Sequence, residues 1–257
     1  MFRFNMQNVV ISFPKCGRTW LRVLLGKAMC DQYGLDDKQC LDPPAGRLRM
    51  RKYPMFRHSI TSDHTVHIAS GDSWKSLPNH IDSYKNFRVC LLVRNPMDVM
   101  VSYFCHRSYR SDDTGFRGSI SEFIRTESYG VDKLLYYWNL WDQNKAILKD
   151  YKVLTYEAMH ADAFAVVRDV AEFCGLRVAD KHLKAAVAFS KFESLKKKQN
   201  EQYFQDSEFA VPTNPEGQKV RRGEVGGYED YLSADDVAYI KERMTAMRCP
   251  FYDIDSV

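Results

Sequence analysis

Apolar positions along the chain fall into two periodicities. NVVISF at 8–13 and FRVCLLVR at 87–94 are β-branched runs with little polar interruption, the pattern of strands buried on both faces of a parallel sheet. HTVHIAS (64–70) and YKVLTY (151–156) are two further candidate strands. Helical spacing follows most of them. Leu21, Leu24, Leu25 and Ala28 predict a helix that starts at Arg18. Asn95 and Pro96 have the chemistry of a helix N-cap and a first helical residue. Leu134, Trp138, Trp141 and Leu148 predict a long amphipathic helix, and Phe164, Val167, Ala171 and Cys174 another, ended by Gly175. Ser233 caps a last helix whose apolar stripe is Val237, Ile240, Met244 and Met247.

Strands alternating with helices predict an α/β fold, a doubly wound parallel sheet flanked by helices. Residues 31–63, with Pro43, Pro44, Gly46 and Pro54, read as a long loop with little helix, and 199–230 as a second irregular stretch. Loops of that length in a compact domain are often lids or binding loops. No linker, repeat or low-complexity segment interrupts the chain, so residues 1–257 are expected to form a single domain with long substrate loops. With hydrophobic residues at 45% and aromatics at 13%, the chain can fill a sizeable core.

A net charge of +4 suits an anionic small ligand and lacks the dense basic stripe of a nucleic-acid binder. The seven cysteines form no C-x-x-C pair and no metal-ligand spacing. They read as reduced thiols, and no metal is expected. Nothing approaches the ~20 apolar residues of a membrane helix. The expected setting is therefore cytoplasmic, with no membrane and no nucleic acid among the partners.

Three stretches carry candidate chemistry. In FPKCGRTW (13–20), a lysine, a glycine and a threonine sit at a strand-to-helix turn, where backbone N–H groups, the helix dipole and Lys15 can converge on one anion. The G-x-x-x-x-G-K-[ST] pattern is absent, which argues against a triphosphate. In LLVRNPMDVMVSY, Arg94 leaves the end of a buried strand, where open α/β sheets bind ligands, and Ser102 follows about two turns into the next helix. In KVRRGEVGGYEDYLS, Arg221 and Arg222 beside Gly223 offer guanidinium forks and an accessible backbone. Each stretch alone also has a plain structural reading: a solvated lysine, a packed serine, a basic loop.

Taken together, the three stretches resemble the PAPS-dependent sulfotransferase family. FPKCGRTWL is similar to its 5′-phosphosulfate loop, RNPMDVMVSY to its 3′-phosphate motif, and VRRGEVGGYEDYLS to its C-terminal R-K-G-x-x-G-D-W segment. In that last segment Arg222 stands for Lys, Gly227 for Asp and Tyr228 for Trp; LTYEAM resembles the family's Tyr-Glu-Asp-Leu strand end. The resemblance implies a P-loop-like fold and a co-substrate, 3′-phosphoadenosine 5′-phosphosulfate (PAPS), that becomes adenosine 3′,5′-bisphosphate (PAP). It implies that Lys15, Cys16, Gly17, Arg18 and Thr19 hold the phosphosulfate. Arg94, Ser102, Arg221, Arg222 and Gly223 would then hold the 3′-phosphate, with Trp20 and Tyr156 near the adenosine. Cys16 and Arg18 depart from the Ser and Thr of many members.

Direct transfer to a hydroxyl or amine requires a base and a cation for the departing oxygen. Lys15 is assigned the oxygen. The family's base is a histidine just after the second strand, which the expected strand at 64–70 makes His67, with His64 the alternative and His58 a loop residue. The lysine that often precedes this histidine is missing. The expected acceptor is a small molecule of specialised metabolism. The family's K-x-x-x-T-V-x-x-x-E dimer motif is absent, so a monomer is expected, with a dimer left open. A P-loop kinase and a non-catalytic nucleotide-binding protein of the same fold are the alternatives.

Overall fold

The computed structural model describes residues 7–41, 56–58, 74–76, 81–110, 115–204 and 209–257. Strand β1 (Gln7–Ser12) runs through a tight loop into helix α1 (Arg18–Tyr33), and β2 (Phe56–His58) follows. Then come β3 (Phe87–Val93), α2 (Pro96–Tyr109), α3 (Ile120–Arg125), α4 (Val131–Gln143) and β4 (Asp150–Thr155). The helices α5 (Tyr156–Ala161), α6 (Ala163–Phe173), α7 (Asp180–Phe189), α8 (Phe192–Asn200) and α9 (Ala234–Ala246) complete the chain.

Among the described residues all strand pairs are parallel, in the order β2-β1-β3-β4. The two central strands are the two runs that the sequence marks most strongly: Val9, Val10 and Ile11, and Val89 to Val93, are fully buried. A connection from β1 outward to β2 and another from β3 outward to β4 leave in opposite directions. Right-handed crossovers therefore put their helices on opposite faces. α1 packs with α6 and α7, while α2 packs with α3, α4 and α9. The gap between the carboxyl ends of β1 and β3 is thus the switch point, where such sheets bind ligands. This is the single α/β domain expected. All seven cysteines are free thiols, and no helix among the described residues is long and apolar enough to cross a membrane.

Several expectations need correction. The stretch 31–63 is not loop throughout: α1 continues to Tyr33, a 3₁₀ turn spans Asp37–Gln39, and β2 pairs beside β1. His58, expected in a loop, ends β2 opposite Val10. The signal was too short to read, since three residues with one arginine and one histidine show no periodicity. The strand expected at 64–70 lies outside the described residues. Leu148 does not belong to α4, which stops at Gln143. There the Asn144 amide donates to the Leu140 carbonyl at 2.8 Å and satisfies one of the free carbonyls of the last turn. Leu148 is buried all the same, delivered by a 3₁₀ turn at Lys145–Ile147.

Candidate functional site

The loop from β1 to α1 has two left-handed residues. Lys15 has φ 71° and Gly17 φ 95°. Glycine suits its place, because a Cβ there would lie 2.4 Å from Tyr156 Cδ2. Gly17 caps α1 without a side chain, and no acid stands in the helix's first turn. The N–H groups of that turn consequently face the cavity without a side-chain cap, the arrangement that binds anions. Arg18, in the same turn, donates to Ser12 Oγ at 3.1 Å.

On the other side of the switch point, Arg94 ties three elements together. It donates to the Lys15 carbonyl at 3.4 Å and to the Glu224 carbonyl at 2.8 Å, and its guanidinium lies 4.2 Å above the Tyr156 ring. Asp98, one turn into α2 and buried, accepts from the backbone N–H of Gly226 at 3.0 Å and of Tyr228 at 3.1 Å. An acid in a helix's first turn is ordinarily explained by the helix dipole alone, but Asp98 also staples the C-terminal segment to α2. Glu157 performs the matching task at the start of α5: it accepts from the Asn95 N–H at 2.8 Å and from the Tyr252 hydroxyl at 2.7 Å. Gly223, also left-handed at φ 68°, packs under Phe192, where an added Cβ would fall 2.4 Å from the ring. Arg221 pairs with Glu216 at 3.1 Å, and Arg222 with Asp230.

These groups line one cavity of about 530 Å³, a volume typical of small-ligand sites. It brings together Lys15, Gly17, Arg18, Thr19, Trp20, Arg94, Ser102, Tyr156, Arg221, Arg222 and Gly223, all named from the sequence. Cys16 is not among its lining. Its side chain is fully buried in the core, and that burial pushes the thiol far up. Trp20, Tyr156 and His160 pack edge to face at one end. The Trp20 indole donates to Ser190 Oγ at 3.3 Å, and the Tyr156 hydroxyl meets His160 Nε2 at 3.1 Å. His64 and His67 lie outside the described residues.

The cavity's charge is lopsided. Nine lysines and arginines line it against two acids, Asp98 and Glu224, and Asp98 is already engaged by backbone N–H groups. Lys15 feels the result: burial first, then Lys219, Arg110 and Arg94, pull its ammonium down to about 7. Such a cluster is stable only at a cost that an anionic ligand would relieve. Sequence reasoning missed His106, Arg110 and Lys219 in this lining. The signal was present for two of them, since His106 and Arg110 follow Ser102 at four-residue helical steps.

A model of the sulfotransferase domain matches residues 6–247. The chain belongs to the sulfotransferase family. The expectation of a PAPS-dependent sulfotransferase is thereby met. This sulfotransferase is 26% identical to cytosolic sulfotransferase 16 of Arabidopsis thaliana over 256 residues, which cover 90% of this chain and 73% of the plant protein. It is 27% identical to the luciferin sulfotransferase of Photinus pyralis over 255 residues, 88% of this chain and 67% of the firefly protein. Retinol dehydratase, solved with retinol and PAP, superposes with a TM-score of 0.62 at 13% identity, over 94% of this chain and 81% of that one. At that identity the likeness is one of fold.

Proposed function

We propose that the protein moves the sulfuryl group of PAPS directly to a hydroxyl or amine of a small molecule, releasing PAP. One observation carries this reading. Two separate anion sites, the uncapped start of α1 with Lys15 and the Arg221–Gly223 turn with Arg94 and Ser102, face a single cavity at the switch point. PAPS carries two separate anionic groups on its ribose, at the 3′ and 5′ positions, and about four negative charges in all. The Trp20–Tyr156–His160 cluster at one end of the cavity suits the adenine. Retinol dehydratase is solved with PAP, and the firefly relative is named for luciferin, which supports a nucleotide donor and a small acceptor.

In this reading the phosphosulfate sits on the N–H groups of Gly17, Arg18 and Thr19. Cys16 contributes backbone alone. Lys15 meets the charge on the oxygen that bridges phosphorus and sulfur. As the acceptor oxygen or nitrogen bonds to sulfur, the bond from sulfur to that bridging oxygen breaks and its electron pair leaves with PAP. The acceptor's proton passes to a base. The family pattern puts that base just after the second strand. Among the described residues that strand is β2, which ends at His58, so His58 joins His67 and His64 as a candidate and is the one put to the test first. Sulfur undergoes no redox change, and no covalent enzyme intermediate is needed.

The test is transfer of labelled sulfate from PAPS to a panel of phenols, alcohols and amines, with PAP binding measured by calorimetry. Binding with transfer to at least one acceptor is expected, and no PAP binding would overturn the reading. His58→Ala should abolish transfer with PAP affinity retained. If His67→Ala does so instead, the original assignment stands.

A further inference from the structure

Helix α2 lines the cavity at Asp98, Ser102, His106 and Arg110, one residue per turn. Asp98 staples the C-terminal segment, Ser102 faces the proposed 3′-phosphate site, and Arg110 donates to the carbonyls of Gly217 and Ala210 at 3.2 and 3.1 Å. His106 has no such employment. Its ring lines the cavity about 6 Å along the helix from Ser102. Its Nδ1 is buried without a hydrogen-bond partner and out of reach of the cavity, while Nε2 is not buried and has no bond to another described residue, so Nε2 is the nitrogen open to the cavity. The charged groups that act on the ring are Lys15 from the β1–α1 loop, Lys219 from the C-terminal segment, and Arg107 and Arg110 from its own helix. All four are cations. They hold the imidazole neutral, and together with burial they push it down to about 3.

With its one proton on the buried Nδ1, a neutral imidazole near Lys15 offers the Nε2 lone pair to the cavity, on the side where, in the reading above, sulfur changes partners. The donor is all acceptor oxygens at that end, and it cannot fill a lone pair. A hydroxyl or an amine can. We propose that His106 touches the acceptor substrate, accepting the hydrogen bond of the hydroxyl or amine that attacks sulfur. The contact fixes the nucleophile's orientation, so that its lone pair points at sulfur while its proton is removed from the side of β2.

This inference rests on the sulfuryl-transfer reading, and its test separates the two. Wild type, His106→Phe and His106→Gln are compared on the panel acceptor that wild type sulfates fastest, with PAP affinity measured for each. His106→Phe should lower kcat/KM for the acceptor by about tenfold or more, while PAP affinity stays within about twofold. Glutamine, which can present an oxygen to the same donor, should recover most of the loss, an outcome that a packing role would not give. His106→Ala replaces the Phe variant if that one fails to fold. A wild type that binds no PAP or sulfates no panel member overturns both readings. Three results overturn the role of His106 alone: a Phe variant within about twofold of wild type, a loss carried by PAP affinity, or a Gln variant no better than Phe.

Discussion

Two glycine turns close the cavity, and they are built in opposite ways. Gly17 and Gly223 are both left-handed, and at each a Cβ would fall 2.4 Å from an aromatic ring, Tyr156 in one case and Phe192 in the other. The first turn lies between β1 and α1, so its shape follows from the strand and the helix that flank it. The second has no such frame. Its segment is held by Asp98 from α2, by Arg94 from the end of β3, and by the pairs Arg221–Glu216 and Arg222–Asp230. One anion site is a consequence of local structure, and the other is assembled by tertiary contact. They should therefore fail separately.

The largest effect is expected at the local turn. Gly17→Ala forces a side chain into left-handed backbone and against Tyr156. That ring cannot easily retreat, since Arg94 lies 4.2 Å above it and His160 3.1 Å from its hydroxyl. We expect about a hundredfold loss of PAP affinity and about 2 kcal/mol of stability, read by calorimetry and thermal melting. Next comes the staple. Asp98→Asn turns an amide N–H₂ toward one of two backbone donors, and a loss of about thirtyfold in PAP affinity follows from about 2 kcal/mol of mismatched hydrogen bonding. Gly223→Ala should cost less, about tenfold, because Phe192 is half-buried and can swing aside. Phe192→Ala should then rescue Gly223→Ala in a double mutant, whereas Tyr156→Ala should not rescue Gly17→Ala. Equal losses at the two glycines, or a rescue at both, would erase the distinction.

The same distinction decides what the sequence made legible. The β1–α1 turn could be read whole, because the apolar run, the glycine and the helix stripe are contiguous. So could the central strands, the caps at Asn95 and Ser233, and the end of α6 at Gly175. Arg94, Arg221 and Arg222 were identifiable as residue types in motifs, but not how they are held: the roles of Asp98 and Glu157 rest on distant N–H partners that no local pattern shows. β2 was illegible because three paired residues carry no period. His106 was missed for another reason. Helical spacing put it on the cavity face, but a histidine on a helix has no meaning until its neighbours prove to be cations.

A smaller effect sharpens the comparison through pH. Lys15 belongs to the local turn, and its ammonium, pulled down to about 7, is partly neutral in the free protein. An anion beside it raises that value, so the complex favours the charged form. PAP affinity should be greatest near pH 7 or just below and fall as pH rises through 7, by at most about tenfold per unit. Both phosphates of PAP are monoesters whose second ionisation lies at about 6, so they oppose the slope only below about pH 7 and the Lys15 effect is read above it. Lys15→Met should bind more weakly and flatten the profile. The second turn relies on arginines, which do not titrate, so Arg222→Met should weaken binding and leave the slope unchanged. A slope lost in the arginine variant would place the titrating group at the wrong turn.

The smallest effect concerns the residue that looks most reactive. Cys16 stands between Lys15 and Gly17 in the motif, yet its side chain is wholly buried and its thiol is held in the neutral form by that burial. If the local turn works through backbone N–H groups, the side chain at this position contributes packing alone. Cys16→Ala should then leave PAP affinity and transfer within about twofold of wild type and cost about 1 kcal/mol of stability, the price of a small cavity. Thiol reagents should spare Cys16 in the folded protein, as read by mass spectrometry. A Cys16→Ala variant that melts normally but binds PAP about tenfold more weakly would mean that the sulfur itself reaches the donor, and the turn would no longer be a device of backbone geometry.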